Sequence, residues 1–237
     1  MAKVFIVPDV HLKHWMFDDA DKLLASLKVD RVVLLGDLVD DWNCETEFDL
    51  YRDTLKRATK FIKEHDALFC YGNHDCSYLW ERDESGYSPA ARQVVLDGLW
   101  ELEDSVREEN RAFMHRIDNT LFSHAGLTSA FVDDFLGGVS DDIEEMLGDI
   151  NHMGEDLWNE ESPIWARPQD YEGYLHLCPE EMFQVVGHTP VSEPLRQGQL
   201  LTLDTFSTYP NGRPIGDGRF VIVDSVDGSW RYADDEE

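Results

Sequence analysis

The chain has 237 residues, 42% of them apolar and 11% aromatic, which suits one substantial core and excludes extensive disorder. Its 49 acidic residues against 20 basic ones give a formal charge of −29; most of this reads as solvated surface, and it argues against an extended nucleic-acid interface or an anionic membrane partner. Cys44, Cys70, Cys76 and Cys178 form no CxxC pair and suit reduced thiols in a cytoplasm, while the apolar run before Pro8 is too short for a signal peptide or a membrane anchor.

In chain order, residues 3–7 (KVFIV) are β-branched and apolar and end at Pro8-Asp9, which predicts a buried strand running into a loop. Leu23, Leu24 and Leu27 at helical spacing predict a helix over 18–28, and residues 31–35 (RVVLL) a second buried strand stopped by Gly36-Asp37. A helix from about 46 to 64 presents Leu50, Leu55, Ala58, Phe61 and Ile62 on or near one face, and residues 67–71 (ALFCY) form a third strand ended by Gly72-Asn73-His74-Asp75. Strand, helix, strand, helix, strand is the signature of parallel α/β architecture. Residues 89–104 read as a helix; 111–117 and 120–123 read as a hairpin turned at Asp118-Asn119; 129–136 and 141–150 read as short acidic helices. The remainder is β-rich, with strands over 183–186, 200–203, 219–223 and 229–232 between Pro and Gly turns, and a frayed ADDEE tail. We expect a single domain with helical insertions near 76–110 and 128–162.

The residues that carry chemistry follow the strands. Asp9-Val10-His11 follows the first, Gly36-Asp37 the second and Gly72-Asn73-His74-Asp75 the third; Ser123-His124-Ala125-Gly126 and Gly187-His188-Thr189 end two later ones. Ligands of open α/β sheets bind outside the carboxyl ends of the strands, so these clusters can converge on one crevice. Carboxylates and neutral imidazoles suit Mn, Fe or Zn, whereas a Ca or Mg site would use oxygen almost alone, and no cysteine occurs in the clusters, which disfavours a thiolate-bound structural zinc. Asp37, turned tightly beside Gly36, is the natural carboxylate to bridge two cations, and glycine lets backbone approach metal or phosphate without a Cβ clash.

DVH, GDLVD, GNHD, HAG and GHT, in that order from residue 9 to residue 189, resemble the calcineurin-like metallophosphoesterases, whose pattern is DxH, GDxxD, GNH[DE], HxG and GHx. The resemblance implies a sandwich of two mixed β-sheets flanked by helices, and two divalent transition-metal ions, with Mn favoured. Asp9, His11 and Asp37 would hold the first metal, and Asp37, Asn73, His124 and His188 the second. His74 would be no ligand but the proton donor to the leaving group, oriented by Asp40, with Asn73 also at the substrate. Two metals about 3.5–4 Å apart would activate a water for in-line attack on phosphorus.

Pro163-Ile164-Trp165-Ala166-Arg167-Pro168 resembles the WxR element of bacterial and phage enzymes related to the serine/threonine phosphoprotein phosphatases, in which the arginine grips the phosphate; Gly187-His188-Thr189-Pro190 and Leu203-Asp204-Thr205 resemble the same branch. A surface ion pair is the other reading of Arg167. The chain departs from that branch at Leu12, where glycine is usual, and at Asp41, where arginine is usual; an anion there favours diesters over phosphomonoester dianions. Arg82 or Arg92 either substitutes for the arginine or sits at the surface, and Trp15 and Trp42 either pack structurally or wall the site for a nucleobase or aryl group. The remaining histidines, 14, 65, 115, 152 and 176, match no motif. The expected activity is therefore a metal-dependent phosphatase acting on phosphoprotein or a small phosphate compound. A phosphodiesterase or dinucleoside polyphosphate hydrolase is the alternative, and a non-catalytic scaffold of the same fold ranks last.

Overall fold

The computed structural model describes residues 1–140, 142–169 and 176–235. Its first half runs β1 (Lys3–Val7), α1 (Trp15–Leu24), β2 (Arg31–Leu34), α2 (Phe48–His65), β3 (Leu68–Cys70), α3 (Asn73–Leu79), α4 (Arg92–Ser105) and β4 (Arg111–Ala112). The second half continues with β5 (Met114–Ile117), β6 (Thr120–Ser123), α5 (Ser129–Phe131) leading into a π-helical turn (Val132–Leu136), α6 (Ile143–His152), β7 (Phe183–Pro190), β8 (Leu195–Gln197), β9 (Leu200–Asp204), β10 (Val221–Asp224) and β11 (Trp230–Tyr232). Asp141, the expected start of the helix observed as α6, lies outside the described residues, as does the end of the expected frayed tail at 236–237.

The strands form two mixed sheets. The first has the order β11-β10-β1-β2-β3-β4, parallel from β1 to β4 and antiparallel where β10 and β11 join; the second is β5-β6-β7-β9-β8, with β6, β7 and β9 parallel. Alternation explains why the first three strands read as unbroken apolar runs. Val4, Ile6, Val33, Leu35, Leu68 and Cys70 face the second sheet and pack with Phe122, Val185, Leu201 and Leu203, whereas Phe5, Val7, Val32, Leu34 and Phe69 face the helical layer with Leu55, Ala58, Phe61 and Leu99. Both faces are buried, so neither is polar. Truncating a fully buried ring between the sheets, such as Phe122, to alanine would cost about 3–5 kcal/mol.

Two expectations change. The strand expected over 111–117 is split: Arg111 and Ala112 pair with β3 in the first sheet, and Met114 to Ile117 pair with β6 in the second. The chain crosses between sheets at Phe113, where Asn151 Oδ1 accepts the Phe113 and Met114 amides and Asn151 Nδ2 donates to the Met114 carbonyl. Backbone groups without ladder partners are thereby satisfied, which a one-dimensional pattern does not show. Secondly, Asn73 and His74, expected only to end the third strand, open a helix, α3; Asp75 fixes that entry by accepting from Gly72 N at 3.0 Å and from Leu38 N at 2.9 Å. Among the described residues no helix is long and apolar enough to cross a membrane.

Candidate metal centre

The segments that follow β1, β2 and β3 meet the end of β6 and the irregular stretch of β7 along the seam between the sheets. The residues there adopt backbone conformations that side chains rarely take: φ is +43° at His11, +61° at Leu12, +49° at Asp37, +63° at Asp40 and +60° at His188. Left-handed non-glycine residues cost about 1–3 kcal/mol each and persist only where surrounding bonds hold them. Here Val10 and His11 N–H donate to the Asp37 carbonyl at 3.0 and 2.8 Å, and Leu12 N–H donates to the Leu38 carbonyl at 3.1 Å. His188 sits where the β7 pairing with β9 shifts register, so its ring turns inward. Two motif glycines are required for close approach: a Cβ on Gly72 would strike the Asp37 carboxylate, and one on Gly187 would strike that of Asp9.

Asp37 lies at the centre, 2% exposed. Its Oδ2 is 3.2 Å from His124 Nε2, 3.7 Å from His11 Nε2 and 4.0 Å from His74 Nε2, and its Oδ1 accepts the His74 backbone N–H at 3.0 Å. His11 Nδ1 donates to the Asp40 carbonyl at 2.9 Å and His124 Nδ1 to the Leu35 carbonyl at 2.7 Å, which turns both Nε2 atoms toward the centre. His188 Nδ1 (3.1 Å) and Asn73 Oδ1 (2.9 Å) meet the same His124 nitrogen. Ligand-type atoms of Asp37, His124 and His188 lie within 4.8 Å of one another, as do those of His11, Asp37 and His74. Asp9 belongs to neither group; it lies buried behind them and accepts the His188 N–H at 2.9 Å.

Charge shows why a cation fits. Asp9, Asp37, Asp40 and Asp204 are each no more than 2% exposed, and Arg167 is the one Arg or Lys among the described residues lining the adjoining cavity of about 300 Å³. Burial alone would raise Asp37, yet His124, His74 and His11 hold it well below the usual carboxylate range. Burial alone would lower His124, yet Asp37 and Asp9 lift it to about 9. Burial and the Asp204 carboxylate push Asp9 up, and burial, His124 and Arg167 push His188 down. Ligand atoms that converge in a negative field suit a shared electropositive partner, and a mixed oxygen and imidazole set fits a divalent transition metal.

His74 is held from its far side. Its Nδ1 donates to Asp40 Oδ2 at 3.0 Å, and Asp40 Oδ1 accepts from the hydroxyls of fully buried Tyr51 (2.9 Å) and Tyr78 (2.6 Å). Burial works against the imidazolium, but Asp37, Asp40 and Glu84 raise His74 well above its ordinary value. Arg167 Nη1 donates to Thr189 Oγ1 at 2.9 Å and to the His188 carbonyl at 3.2 Å, so it is part of the cavity wall, and among the described residues it has no ion-pair partner. Asn73 reaches the cavity with its oxygen at His124 and its amide nitrogen on Glu84 Oε2 at 2.5 Å.

Other candidates separate cleanly. Arg82 pairs with Glu155 and Arg92 with Glu81; neither lines the cavity. Trp42 stands at the mouth, half exposed, its Nε1 donating to the Thr208 carbonyl at 2.8 Å, while Trp15 lies outside against Phe206. Asp41 lines the cavity, but Lys13 Nζ pairs with it at 2.9 Å, so the anion in the usual arginine position is compensated. Sequence reasoning gave no role to Asp204, Trp165, Tyr51, Tyr78 or Glu84. Asp204 carried the same signal as the other clusters, a buried apolar strand ending in aspartate; Glu84 carried none, being one acid among many in an insertion.

The fold and the site define a metallophosphoesterase. The calcineurin-like phosphoesterase family model matches residues 2–208, and the chain belongs to that family of divalent-metal-dependent enzymes as a phosphoric ester hydrolase. In fold it is similar to the cold-active protein-tyrosine phosphatase of the psychrophile Shewanella sp., at 14% identity over 98% of this chain and 80% of that one with a TM-score of 0.58. A protein serine/threonine phosphatase of Saccharomyces cerevisiae is similar at 16% identity over 93% and 72% of the two chains, with a TM-score of 0.55. No curated protein matches the sequence.

Proposed function

We propose that the chain hydrolyses phosphoesters at a dinuclear centre in which Asp9, His11 and Asp37 hold one divalent cation and Asp37, Asn73, His124 and His188 the other, with Mn favoured over Fe and Zn. The observation that carries this reading is the single carboxylate of Asp37, whose Oδ2 serves both imidazole groups, His11 at 3.7 Å and His124 at 3.2 Å. When bound, the cations supply an acidified water and neutralise charge on the phosphoryl oxygens. The rest of the chemistry belongs to side chains. With Nδ1 committed to Asp40, His74 presents Nε2 to the cavity and donates its proton to the leaving-group oxygen. Arg167 has its fork braced by Thr189 and the His188 carbonyl and grips the substrate phosphate.

Phosphoprotein and small phosphorylated compounds are the substrates proposed first. A phosphodiester or dinucleoside polyphosphate is the second reading, favoured by a cavity that sets Arg167 against Asp40, Asp41, Glu45 and Glu84 and offers Trp42 and Trp165 as flat walls. We place the enzyme in the cytoplasm, a reading supported by four unpaired thiols, and treat the chain as one domain with insertions near 76–110 and 128–162. Matched aryl monoester and diester phosphates, with a dinucleoside polyphosphate alongside, should be assayed with Mn²⁺. Metal-dependent turnover is expected on at least one of them; none on any would leave a scaffold, and a protein that persistently holds one ion per chain after metal loading would end the dinuclear assignment.

A further inference from the structure

The loop between α3 and α4 drives a carboxylate into the site that no motif accounts for. Asp83 and Ser85 are exposed, yet the Glu84 side chain between them is only 3% exposed. Its Oε2 accepts from Asn73 Nδ2 at 2.5 Å and its Oε1 lies 2.7 Å from His74 Nδ1, the nitrogen that also faces Asp40 at 3.0 Å. The loop is anchored just beyond this contact. Ser88 N–H donates to the Tyr78 hydroxyl at 2.9 Å and Ser88 Oγ to the Glu45 carbonyl at 2.6 Å, while Gly86, at φ +109°, packs so closely on the His74 ring that a Cβ there would lie 3.2 Å from Cε1.

Two consequences follow from the chemistry of the partners. A primary amide has an accepting end and a donating end, so a carboxylate on Asn73 Nδ2 obliges Asn73 Oδ1 to face His124 and the converging ligand atoms. An imidazole whose Nδ1–H donates to Asp40, with the Glu84 carboxylate close beside it, holds its proton there and turns Nε2 toward the cavity. We propose that Glu84 is a positioning residue for the reaction, orienting the Asn73 oxygen toward the cations and, with Asp40, aiming His74 Nε2 at the leaving group. This rests on the reading of Asn73 as a ligand and His74 as the proton donor. As the P–O bond breaks, the bond electrons stay on the leaving oxygen, the Nε2 proton passes to that oxygen, and solvent restores it.

The test uses the full chain with Glu84→Gln and Glu84→Ala. Calorimetric titration of the metal-free proteins with Mn²⁺ reads the Asn73 role: Glu84→Ala should bind about tenfold more weakly, and Glu84→Gln, which keeps an acceptor for the amide, close to the unaltered protein. Paired phenyl and para-nitrophenyl esters at saturating Mn²⁺ read the His74 role. In Glu84→Gln, kcat should fall about tenfold on the phenyl ester, whose leaving group needs a proton, and about twofold or less on the nitrophenyl ester, with KM little changed. Equal losses on both esters overturn the proposal, as does unaltered Mn²⁺ affinity in Glu84→Ala; if Glu84→Ala does not fold, the isosteric Glu84→Gln decides by its leaving-group dependence. An unaltered protein that turns over no ester defeats the proposed function and leaves the titration to judge Glu84. One that turns over normally beside indistinguishable Glu84 variants defeats only Glu84.

Discussion

The two sheets supply opposite halves of the centre. The segments that follow β1, β2 and β3 deliver Asp9, His11, Asp37, Asn73 and His74, and so all but one of the carboxylates nearest the centre and the proposed proton donor; the second sheet delivers His124, His188 and Asp204, with Arg167 beside them. The first half is braced within its own sheet, as the Asp37 carbonyl accepts from Val10 and His11. The second half is braced across the seam: His124 donates to Leu35, the His188 N–H donates to Asp9, and His115 Nε2 donates to the Phe69 carbonyl at 3.0 Å. The difference teaches that the centre is also a joint between sheets, so a residue can matter to catalysis through either its ligand atom or its bracing atom.

Asp37→Asn strikes both halves and should have the largest effect, lowering turnover by about 10³-fold or more and reducing bound metal below two ions per chain; metal analysis beside steady-state kinetics checks it, and near-normal turnover would break the comparison outright. His74→Asn touches the first half alone. It should lower kcat by about 10²–10³-fold, most on poor leaving groups, and leave metal content unchanged; loss of an ion would instead make His74 a ligand. Gly187→Ala tests the seam, because the added methyl meets the Asp9 carboxylate. Denaturant melts should show about 1–3 kcal/mol of lost stability, accompanied by weaker metal binding. Arg167→Lys loses the braced fork and should raise KM about tenfold with kcat nearly constant; a fall confined to kcat would move Arg167 from binding to the chemical step.

The smallest expected effect sharpens the seam itself. Burial pushes His115 below its ordinary value of 6.5 to about 4, with the Phe69 carbonyl opposing the shift. The unfolded chain then binds the proton first, so this stabilisation is complete above about pH 6.5 and is lost progressively as pH falls toward about 4. In His115→Gln that component of the acid-side stability loss should disappear from melts run across the interval. An unchanged slope would show that burial at the seam does not hold His115 neutral.

The halves also differ in how far they were legible. Residues 3–7, 31–35 and 67–71 announced themselves as apolar runs because both of their faces are covered, and each ended in a polar cluster. The split at Phe113 and the short β8 were not legible, since one depends on Asn151, 38 residues away, and the other on pairing with β9. Convergence of the five clusters was argued from one open sheet, whereas the structure brings them together from two sheets that face each other. Asp204 lay within a quoted motif without a role, because its place beside Asp9 depends on the pairing of β7 with β9.

By itself, the sequence determined the ligand types, their order along the chain and the α/β alternation, because residue chemistry and hydrophobic period are local properties. Tertiary structure alone decided which atoms of those ligands face one another. It also paired Lys13 with Asp41, excluded Arg82, Arg92 and Trp15 from the cavity, and brought Glu84 into it. Those outcomes depend on contacts between segments distant in the chain or on the path of a loop, and no local pattern carries that information.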